Sequence, residues 1–532
     1  MSKQPPRVFV REATGLVREV GFLETVALNL SSIDFGLGIL VMLSTLSLFP
    51  GGDPVIGALL SALIFVPLGI IYAMTLSAMP RSGGDYVFVS RALHPAFGVV
   101  VAWTILLWSS FFDGAAANYV FTLGLGPTLS IIGSIEQNSA ISGLASMMTS
   151  TSLVIGGGIL LLVAIGLIAT FFPRSLFRLL SIFLYCGILS LLLMAVILLI
   201  SNHADFVSRF NAYSASFAGT SDYYSKLVSA VSVPSGGFSW SQTINLLPVG
   251  AYSFVFISAQ QTLGGEIKNA QRVTYKAMLA TLLISGLLTA GMIYLVEEVI
   301  GYDFLYAASA LAGSPSYVLP VLPSYNFLIG ILTQNAVILA VTQFLFLGWY
   351  LVIPALALLV VTRTLLASSM DRVSPSIFAR VSDRFHTPYI VTWIVVILGC
   401  LSLVVYTQYA SILANLSATL GDLLGVFLLV SIGAILFPFS HRTKRLYESS
   451  PIQFRVIGIP VITLLGILST LALLGLTYMY ATNTAYGTNS PFSIAAVAFQ
   501  FVSAFLIFGG SYLYHKRKGL DLMLAFAQIP PE

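Results

Sequence analysis

Three aspartates lie deep inside long apolar stretches of this 532-residue sequence: Asp34, Asp113 and Asp422. With a rise of about 1.5 Å per residue, Asp34 is roughly 18 Å along its stretch, close to the middle of a hydrocarbon layer about 30 Å thick. A carboxylate at that depth costs about 2.5 to 3.5 kcal/mol, so it needs water, a cation or a proton as a partner. All three are therefore candidates for binding a cationic group or carrying a proton, unless they are neutral acids that hydrogen-bond only for packing.

The residues around each aspartate are small and polar. Asp34 lies in the segment Asn29-Leu-Ser-Ser-Ile-Asp-Phe-Gly-Leu-Gly38, whose closely spaced glycines weaken a helix near mid-depth. Backbone freed from a helix inside a bilayer must line a polar cavity, which favours a binding site here, although glycines also permit close helix packing. Helical spacing gathers small or polar residues around the other two aspartates: Ser109, Ser110, Ala116 and Ala117 around Asp113, and Ser411, Asn415, Thr419 and Gly425 around Asp422.

Basic residues are absent from the cores of the apolar stretches. The five histidines, at positions 94, 203, 386, 441 and 515, lie in loops or at helix ends. They form neither a zinc ligand set nor a nucleophile pair, so the sequence predicts no enzyme activity, no cofactor and no metal site. Cys186 and Cys400 lie inside apolar stretches and are predicted to be apolar fillers. The embedded acids must therefore find a counter-cation in a ligand, a proton or an ion.

Twelve apolar stretches reach the roughly 20 residues that a helix needs to cross a membrane. We place them near residues 22–49, 54–79, 95–125, 151–171, 176–201, 244–265, 274–299, 335–366, 389–408, 411–437, 456–480 and 491–514. A composition of 57% hydrophobic and 8% charged residues excludes a water-soluble fold. The sequence predicts an all-α integral membrane protein with twelve transmembrane helices, called spans 1 to 12. The stretch 327–366 is too long for one span, so its early part, with Thr333-Gln-Asn335, is a candidate interfacial helix.

Charge orients the spans. If both chain ends lie on the same side, 22 of the 24 Lys and Arg residues lie there too, and only Arg209 and Lys226 lie opposite. Positive residues in short loops stay in the cytoplasm during insertion, so we expect cytoplasmic N and C termini and a multi-pass protein of the cell membrane. The polar segment before span 1 argues against a cleaved signal peptide. The basic loops attract anionic lipid, and no nucleic-acid partner is expected.

Spans 1 to 5 and spans 6 to 10 form two halves of similar length, and an odd number of spans inverts the second half. Inverted halves opened by discontinuous helices are typical of secondary transporters. Periodicity alone does not prove a repeat. The predicted organisation is a cytoplasmic tail at 1–20, a first half, the candidate inverted repeat, at 21–201, an extracellular loop at 202–243, a second half, its candidate counterpart, at 244–437, spans 11 and 12 at 438–514, and a cytoplasmic tail at 515–532. The long 202–243 connection is either a lid or a surface loop.

Three loop motifs carry a resemblance to a known family. They are Met79-Pro-Arg-Ser-Gly-Gly-Asp-Tyr-Val-Phe-Val-Ser-Arg-Ala-Leu93 after span 2, Gly265-Glu-Ile-Lys-Asn-Ala-Gln-Arg272 at the end of span 6, and a run from Thr362 through Asp371 and Pro375 to Pro388 after span 8. In these motifs, their order and their spacing, the chain resembles the amino acid–polyamine–organocation superfamily of permeases. The resemblance implies a leucine-transporter-like fold: a 5+5 inverted repeat plus two extra helices, with a substrate held between spans 1, 3, 6, 8 and 10.

The resemblance also implies which residues bind the substrate. They are Ser32, Ile33, Asp34, Phe35, Gly36, Leu37 and Gly38 at a break in span 1, Phe254, Phe256, Ile257 and Ser258 at a break in span 6, and Asp113 and Asp422 in spans 3 and 10. Amide N–H groups at the start of a half-helix in span 1 would suit a substrate carboxylate. Span 6 departs from the family pattern, because Phe256, Ile257 and Ser258 replace its usual Gly-aromatic-acid sequence.

Two further departures concern the coupling ion. Proton-coupled relatives often carry a lysine in span 5, where this chain has Gly187. A sodium site between spans 1 and 8 would need oxygen ligands, yet the stretch 344–361 has no Ser, Thr or acidic residue. We therefore expect a proton as the coupling ion, carried by Asp34, Asp113 or Asp422.

Charged residues on the cytoplasmic side form a second candidate site. Arg81, Asp85, Glu266, Lys268 and Arg272 could pair across this face as a gate. The alternative is that they serve only as topology anchors and helix caps.

The best-fitting function is a secondary active transporter of amino acids or related amines, which works by alternating access and is proton-coupled or an exchanger. A cationic amino acid or a polyamine is the alternative substrate. A membrane sensor that keeps the fold, and a channel, are alternatives from other classes, and the channel lacks any repeated pore segment. The expected partners are a small-molecule substrate, a proton and the lipid bilayer, and the oligomeric state stays open.

Overall fold

The structure is a computed structural model that describes residues 26, 29–232, 237–262, 270–382, 384–385, 387–410 and 412–527, without the side chains of residues 216, 260 and 270–273. This part of the chain is almost entirely helical. Its β-structure is limited to one antiparallel pair, Arg455–Val456 with Ile459–Pro460.

The first helices follow a helical turn at 29–32. In chain order they are α1 (Phe35–Ser44), α2 (Pro54–Ala78), α3 (Gly84–Ala92), α4 (Pro95–Ile135), α5 (Ser139–Met148), α6 (Thr151–Phe171), α7 (Pro173–Leu199), α8 (His203–Ala218) and α9 (Tyr223–Ser229). A 3₁₀ turn at Leu46–Leu48 follows α1. Helix α4 contains a π-helical stretch at Val120–Leu125, a local widening of the helix that is frequent at functional sites.

The remaining helices complete the bundle. They are α10 (Trp240–Asn245), α11 (Leu247–Ala251), α12 (Ala259–Thr262), α13 (Ala270–Ile300), α14 (Tyr302–Leu311), α15 (Tyr325–Ile331), α16 (Ala336–Met370), α17 (Tyr389–Tyr409), α18 (Ala414–Leu436), α19 (Lys444–Ser449), α20 (Val461–Thr482) and α21 (Pro491–Arg517). Short 3₁₀ segments lie at Tyr252–Phe254, Ser376–Ala379, Thr484–Tyr486 and Leu522–Ala527. Helix α18 contains a second π-helical stretch, Leu423–Phe427.

Ten of the described helices are long and apolar enough to cross a membrane, and they correspond to every predicted span except 1 and 6. Those two are interrupted: α1 has ten residues after a break, and predicted span 6 is divided among α10, α11 and α12. The predicted stretch 327–366 divides into α15 and α16. Asn335 is the N-cap of α16, and its side chain accepts from two amides of the first turn. The protein is therefore an all-α, multi-pass membrane protein.

Local sequence explains where the long helices begin. The Asp53 side chain accepts from the Ile56 N–H at 2.9 Å and caps α2, while Pro54 occupies the first turn, where no amide hydrogen is needed. Pro173 begins α7 one residue after α6 ends, which makes the tight turn between them.

The long helices pack in pairs around the interrupted ones. Helix α2 lies along α13, α16 lies against α7 and α4, and α17 lies against α4. Helix α1 contacts α11, α13, α15 and α16, so its interrupted start lies inside the bundle.

The connection predicted at 202–243 contains α8 and α9. An Asn202–Asp205 capping box starts α8, and rings of both helices pack against Phe304 of α14: the centroid of Phe210 is 4.8 Å away, and that of Tyr224 is 5.1 Å away and stacked. The described part of this connection is thus a folded helical segment held against α14 by aromatic contacts.

Candidate functional site

The first helical segment is interrupted at Ile33 and Asp34. A helical turn ends at Ser32, and Asp34 has a non-helical backbone, with φ −78° and ψ 77°, before α1 begins. The Ser32 hydroxyl donates to the Asn29 carbonyl oxygen at 2.7 Å, a side-chain bond that competes with the regular helical pattern. The short polar run Ser-Ser-Ile-Asp therefore ends one helical segment and starts the next.

The Asp34 carboxylate caps the N-terminus of α1. Its Oδ1 accepts from the Leu37 N–H at 3.0 Å, at the end of the helix dipole that favours negative charge. Its Oδ2 has no hydrogen-bond partner in the described part of the chain, and the residue is 4% exposed. Asp34 forms no ion pair with any described residue. A buried charge without a partner is costly, so the free oxygen marks a place for a proton or a cation.

Gly36 and Gly38 belong to α1, although the predicted break extended from Ile33 to Gly38. A Cβ on Gly36 would lie 2.5 Å from Cγ of Trp349 on α16. A Cβ on Gly38 would overlap the Ser253 hydroxyl and lie 3.0 Å from Ser253 Cβ. The break is shorter than predicted because the glycines act as close-packing positions that bring α16 and the segment after α11 up to Asp34.

The segment facing α1 contains 3₁₀ turns in place of a regular α-helix. After α11 the backbone passes through the 3₁₀ turn Tyr252–Phe254 and hydrogen-bonded turns up to Ser258, where α12 follows. The Ile257 N–H donates to the Phe254 carbonyl at 3.0 Å, and this i to i+3 pattern gives a greater rise per residue than an α-helix. This segment overlaps the break predicted near 254–258. Its backbone is not free of hydrogen bonds there, because it forms 3₁₀-type bonds with a longer rise per residue.

Aromatic side chains surround the α1 break. The rings of Phe35 and Trp349 meet edge to face with centroids 4.4 Å apart. Three phenol groups lie near enough for the charge of Asp34 to act on them, those of Tyr252, Tyr325 and Tyr350. The Tyr325 hydroxyl donates to the Gly36 carbonyl oxygen at 3.1 Å. The Tyr350 hydroxyl, like Asp34 Oδ2, is buried and has no hydrogen-bond partner in the described part, so two unsatisfied polar groups lie near this break and indicate a ligand site.

The predicted span 6 residues form an apolar wall. Phe254 stacks on Phe65 of α2 at 4.7 Å, and Phe256 meets Phe112 of α4 edge to face at 5.7 Å. Ile257 is fully buried. These side chains supply shape and apolar surface rather than polar contacts.

Asp113 faces α17 rather than α1. A Cβ on Gly399 of α17 would lie 3.2 Å from Asp113 Cβ and 3.6 Å from its Oδ2. Gly114 allows this approach, because a Cβ there would lie 2.6 Å from the Ser402 carbonyl carbon. Asp113 Oδ1 has no hydrogen-bond partner among the described residues. The structure therefore does not group Asp113 with Asp34.

Asp422 belongs to a separate set of polar groups. It is the residue before the π-helical stretch of α18, and its charge reaches the Tyr72 phenol on α2. The charge of Asp85 reaches the same phenol, and the Ser258 hydroxyl lies beside both Tyr72 and Asp85. These four polar groups lie between the bundle interior and α3, on the side that carries most Lys and Arg residues, called the basic side. The Tyr72 hydroxyl and both Asp85 oxygens have no hydrogen-bond partner of good geometry among the described residues, so the groups are neighbours rather than a continuous hydrogen-bonded chain.

Asp85 lies in the first turn of α3 and is fully buried. Burial raises the pKa of its carboxyl to about 7, while the Ser258 hydroxyl beside it opposes the rise. Asp85 forms no ion pair with a described residue. Among the other predicted gate residues, Arg81 donates to the Pro80 carbonyl oxygen at 3.5 Å, Glu266 and Lys268 lie outside the described residues, and the Arg272 side chain does too.

A buried ion pair joins α3 to the end of α16. The Arg91 guanidinium donates to both Asp371 oxygens, at 2.6 and 2.9 Å, and the two side chains are 3% and 0% exposed. The Tyr86 hydroxyl donates to the same carboxylate at 3.0 Å, and the Phe526 ring lies 5.0 Å from the guanidinium carbon. This bidentate pair, which we call the basic-side lock, fixes α3 to the end of α16.

Backbone contacts reinforce the basic-side lock. Gly83 precedes α3 with φ +73°, and its N–H donates to the Thr262 carbonyl of α12 at 2.8 Å. A Cβ on Gly83 would lie 2.5 Å from Ala367 Cβ of α16, so both the conformation and the space require glycine.

The opposite side is closed by neutral groups, called the outer network. The hydroxyls of Tyr119 on α4 and Tyr406 on α17 share a hydrogen bond, and Asn415 Nδ2 at the start of α18 donates to the Tyr119 hydroxyl at 2.6 Å. The Tyr350 ring packs 6.0 Å from that of Tyr119, so the network lies next to the Asp34 surroundings. The site is thus covered from both sides.

Sequence reasoning missed the basic-side lock and the aromatic surroundings of Asp34. Arg91 lies in the first loop motif and Asp371 in the third, so the sequence contained a pair of opposite charges that could have been predicted to meet. Trp349 and Tyr350 lie in a continuous apolar run, where nothing distinguishes a site residue from a core residue.

Polar groups at interrupted helices, enclosed within a membrane-spanning bundle, define the class of membrane transport proteins. The sequence profile described as "Amino acid permease" matches residues 20–508, so the chain belongs to the amino acid permease family, and this membership indicates a transporter. This result confirms the resemblance to the amino acid–polyamine–organocation superfamily. The chain is also similar to a branched-chain amino acid permease of Bacillus subtilis (strain 168), with 24% identity over 475 residues that cover 86% of this chain and 88% of the relative.

Proposed function

We propose that the protein is a secondary active transporter that moves amino acids across the cell membrane by alternating access, with its basic side in the cytoplasm. The observation that carries this proposal is Asp34: a carboxylate with one free oxygen, buried at a helix break and covered on both sides. The position of the Lys and Arg residues supports the orientation.

We place spans 1 to 5 and 6 to 10 in the two inverted repeats of a leucine-transporter-like fold, with spans 11 and 12 outside them. Support comes from the two interruptions, at Ile33-Asp34 and at 252–258, which fall in the first span of each half. Under this proposal, α1 and the 252–258 segment line one central site together with α16.

The substrate we propose is an amino acid with one ammonium group and an apolar side chain. The rings of Phe35, Trp349 and Phe256 supply an apolar wall, and the similar Bacillus subtilis protein is a branched-chain amino acid permease. A cationic amino acid or polyamine would need a second acid near Asp34, and Asp113 and Asp422 face other elements.

We propose a proton as the coupling ion, carried by the polar groups from Asp422 through Tyr72 and Ser258 to Asp85. These groups lie between the bundle interior and the basic side, and Asp85 has a pKa of about 7, where a proton binds and leaves within the physiological range. Asp34 and Asp113 remain candidates, because each has a buried oxygen without a partner in the described residues.

The test is uptake of radiolabelled leucine by the purified protein in liposomes. We expect accumulation when the outside is made acidic, competition by valine and isoleucine but not by lysine, and no effect of replacing sodium by choline. Absence of leucine uptake under every gradient would contradict the proposed function. Strict dependence on sodium would contradict only the coupling ion.

A further inference from the structure

The start of α1 is already capped by a carboxylate of the protein itself. The first regular helical bond of α1 runs from the Gly38 N–H to the Asp34 carbonyl at 2.8 Å. Two of the four amide N–H groups before it have acceptors: Phe35 donates to the Ile33 carbonyl at 2.9 Å, and Leu37 donates to Asp34 Oδ1 at 3.0 Å. A half-helix end of this kind is where a substrate carboxylate is expected to bind. Here, a second carboxylate would meet both an occupied amide and a like charge.

The free Asp34 oxygen is instead arranged for a cation. Asp34 Oδ2 is buried and has no hydrogen-bond donor or ion-pair partner among the described residues. Aromatic residues lie on the neighbouring elements: Trp349 packs against Gly36, and the charge of Asp34 reaches the phenols of Tyr252, Tyr325 and Tyr350. A carboxylate near aromatic rings stabilises an ammonium ion and disfavours an anion.

The balance of charge sets the number of cations. An ionised Asp34 and one ammonium group form a neutral pair, which reduces the cost of burying either charge. Asp113 faces α17 and Asp422 faces Tyr72, so neither offers a second ammonium position beside Asp34.

We propose that the substrate is anchored by its ammonium group on Asp34 Oδ2, and that Asp34 supplies the carboxylate that a substrate would otherwise bring to the α1 terminus. This inference rests on the proposed function and narrows its substrate class. The substrate carboxylate is dispensable, so primary monoamines with a branched apolar side chain occupy the same site as the corresponding amino acids.

Competition against radiolabelled leucine uptake in liposomes tests this with two matched probes. The first, 3-methylbutylamine, is leucine without its carboxylate, and the second, 4-methylpentanoate, is leucine without its ammonium group. We expect the amine to inhibit at concentrations within about tenfold of unlabelled leucine, and the acid to inhibit at least tenfold more weakly than the amine. Inhibition by the acid and not by the amine would overturn the inference.

Two substitutions separate the cap from the charge. Asp34→Asn keeps an N-cap side chain of equal quality but removes the charge, so inhibition by 3-methylbutylamine should weaken at least tenfold. Asp34→Gly releases the Leu37 N–H, so 4-methylpentanoate should become a better inhibitor than in the wild type. Unchanged inhibition by both probes in both variants would contradict the inference.

Asp53→Asn is the matched control. Asp53 also caps a helix, accepting from the Ile56 N–H at 2.9 Å at the start of α2, and it lies outside the site. The same substitution there should leave the ranking of the two probes unchanged.

The competition experiment on the wild-type protein needs no variant, so it still tests the inference if a variant folds poorly. Leucine uptake without inhibition by the amine contradicts this inference alone, whereas no leucine uptake contradicts the proposed function.

Discussion

The two sides of the bundle are closed by different chemistry. On the basic side, Arg91 and Asp371 form a buried, bidentate ion pair, whereas the outer network joins Tyr119, Tyr406 and Asn415 through neutral hydrogen bonds. Separating a buried ion pair exposes two charges to an environment that hydrates them poorly, unless water enters at the same time. Separating neutral groups costs less, because each can bond to water or to a ligand instead.

This difference indicates how the closures would respond to perturbation. The basic-side lock should tolerate removal of both partners better than removal of one, since a lone buried charge is the costly state. A single substitution in the outer network should change the free energy of unfolding only slightly, since each remaining polar group can hydrogen-bond to another partner or to water. The experiments below rank these effects from the largest to the smallest.

The largest effect is expected for Arg91→Met. It leaves Asp371 buried and without its guanidinium, so the free energy of unfolding should fall by about 3 to 5 kcal/mol. Denaturant titration in detergent micelles measures the change. The double variant Arg91→Met/Asp371→Leu should recover most of the loss, and a double variant no more stable than the single one would contradict the lock. The exposed pair Lys444–Glu448, with N to O 3.9 Å, is the control, and Lys444→Gln should change stability by less than about 1 kcal/mol.

The next largest effect is a dependence on pH at Asp85. Its pKa rises from 3.8 to about 7 on folding, so the folded chain holds the proton more tightly than the unfolded chain. Stability therefore falls as the pH rises from about 4 to about 7, by up to about 4 kcal/mol for this one group. Asp85→Asn should remove this component, and the variant should lose less stability between pH 5 and pH 8 than the wild type. Identical pH profiles would contradict the assignment.

Much of this arrangement was predictable from sequence, and the rest had a physical reason to be missed. Apolar length located ten spans, and the Ser-Ser-Ile-Asp-Phe-Gly run located the break at Asp34, because short polar side chains compete locally with helical hydrogen bonds. Grouping Asp113 and Asp422 with Asp34 was not supported, since equal depth along a helix does not determine which neighbour a side chain faces.

The contacts that close the site were harder to predict. The Arg91–Asp371 pair joins residues 280 positions apart, and only the three-dimensional packing of α3 on α16 brings them together. The position of the second interruption was predictable by counting back from the loop motif at 265–272. Its 3₁₀ geometry was not, because it depends on the packing of Phe254 against α2 and of Phe256 against α4.

The smallest effect is expected in the outer network. Tyr406→Phe removes one hydroxyl and leaves the Tyr119 hydroxyl its bond from Asn415, so unfolding should become easier by only about 1 kcal/mol. The measurement is the same denaturant titration. A loss of unfolding free energy as large as that of Arg91→Met would mean that the contacts on the two sides contribute equally to stability, and it would contradict the comparison.

Solute counterflow tests the central claim most directly, because it requires one site that opens to either side in turn. Liposomes containing the protein are loaded with unlabelled leucine and diluted into a trace of labelled leucine with no ion gradient. A carrier that exchanges leucine through the Asp34 site predicts a transient accumulation of label above the external concentration, reduced by Asp34→Asn and not by Asp53→Asn. Label that only equilibrates, or an overshoot that Asp34→Asn leaves unchanged, would contradict the account.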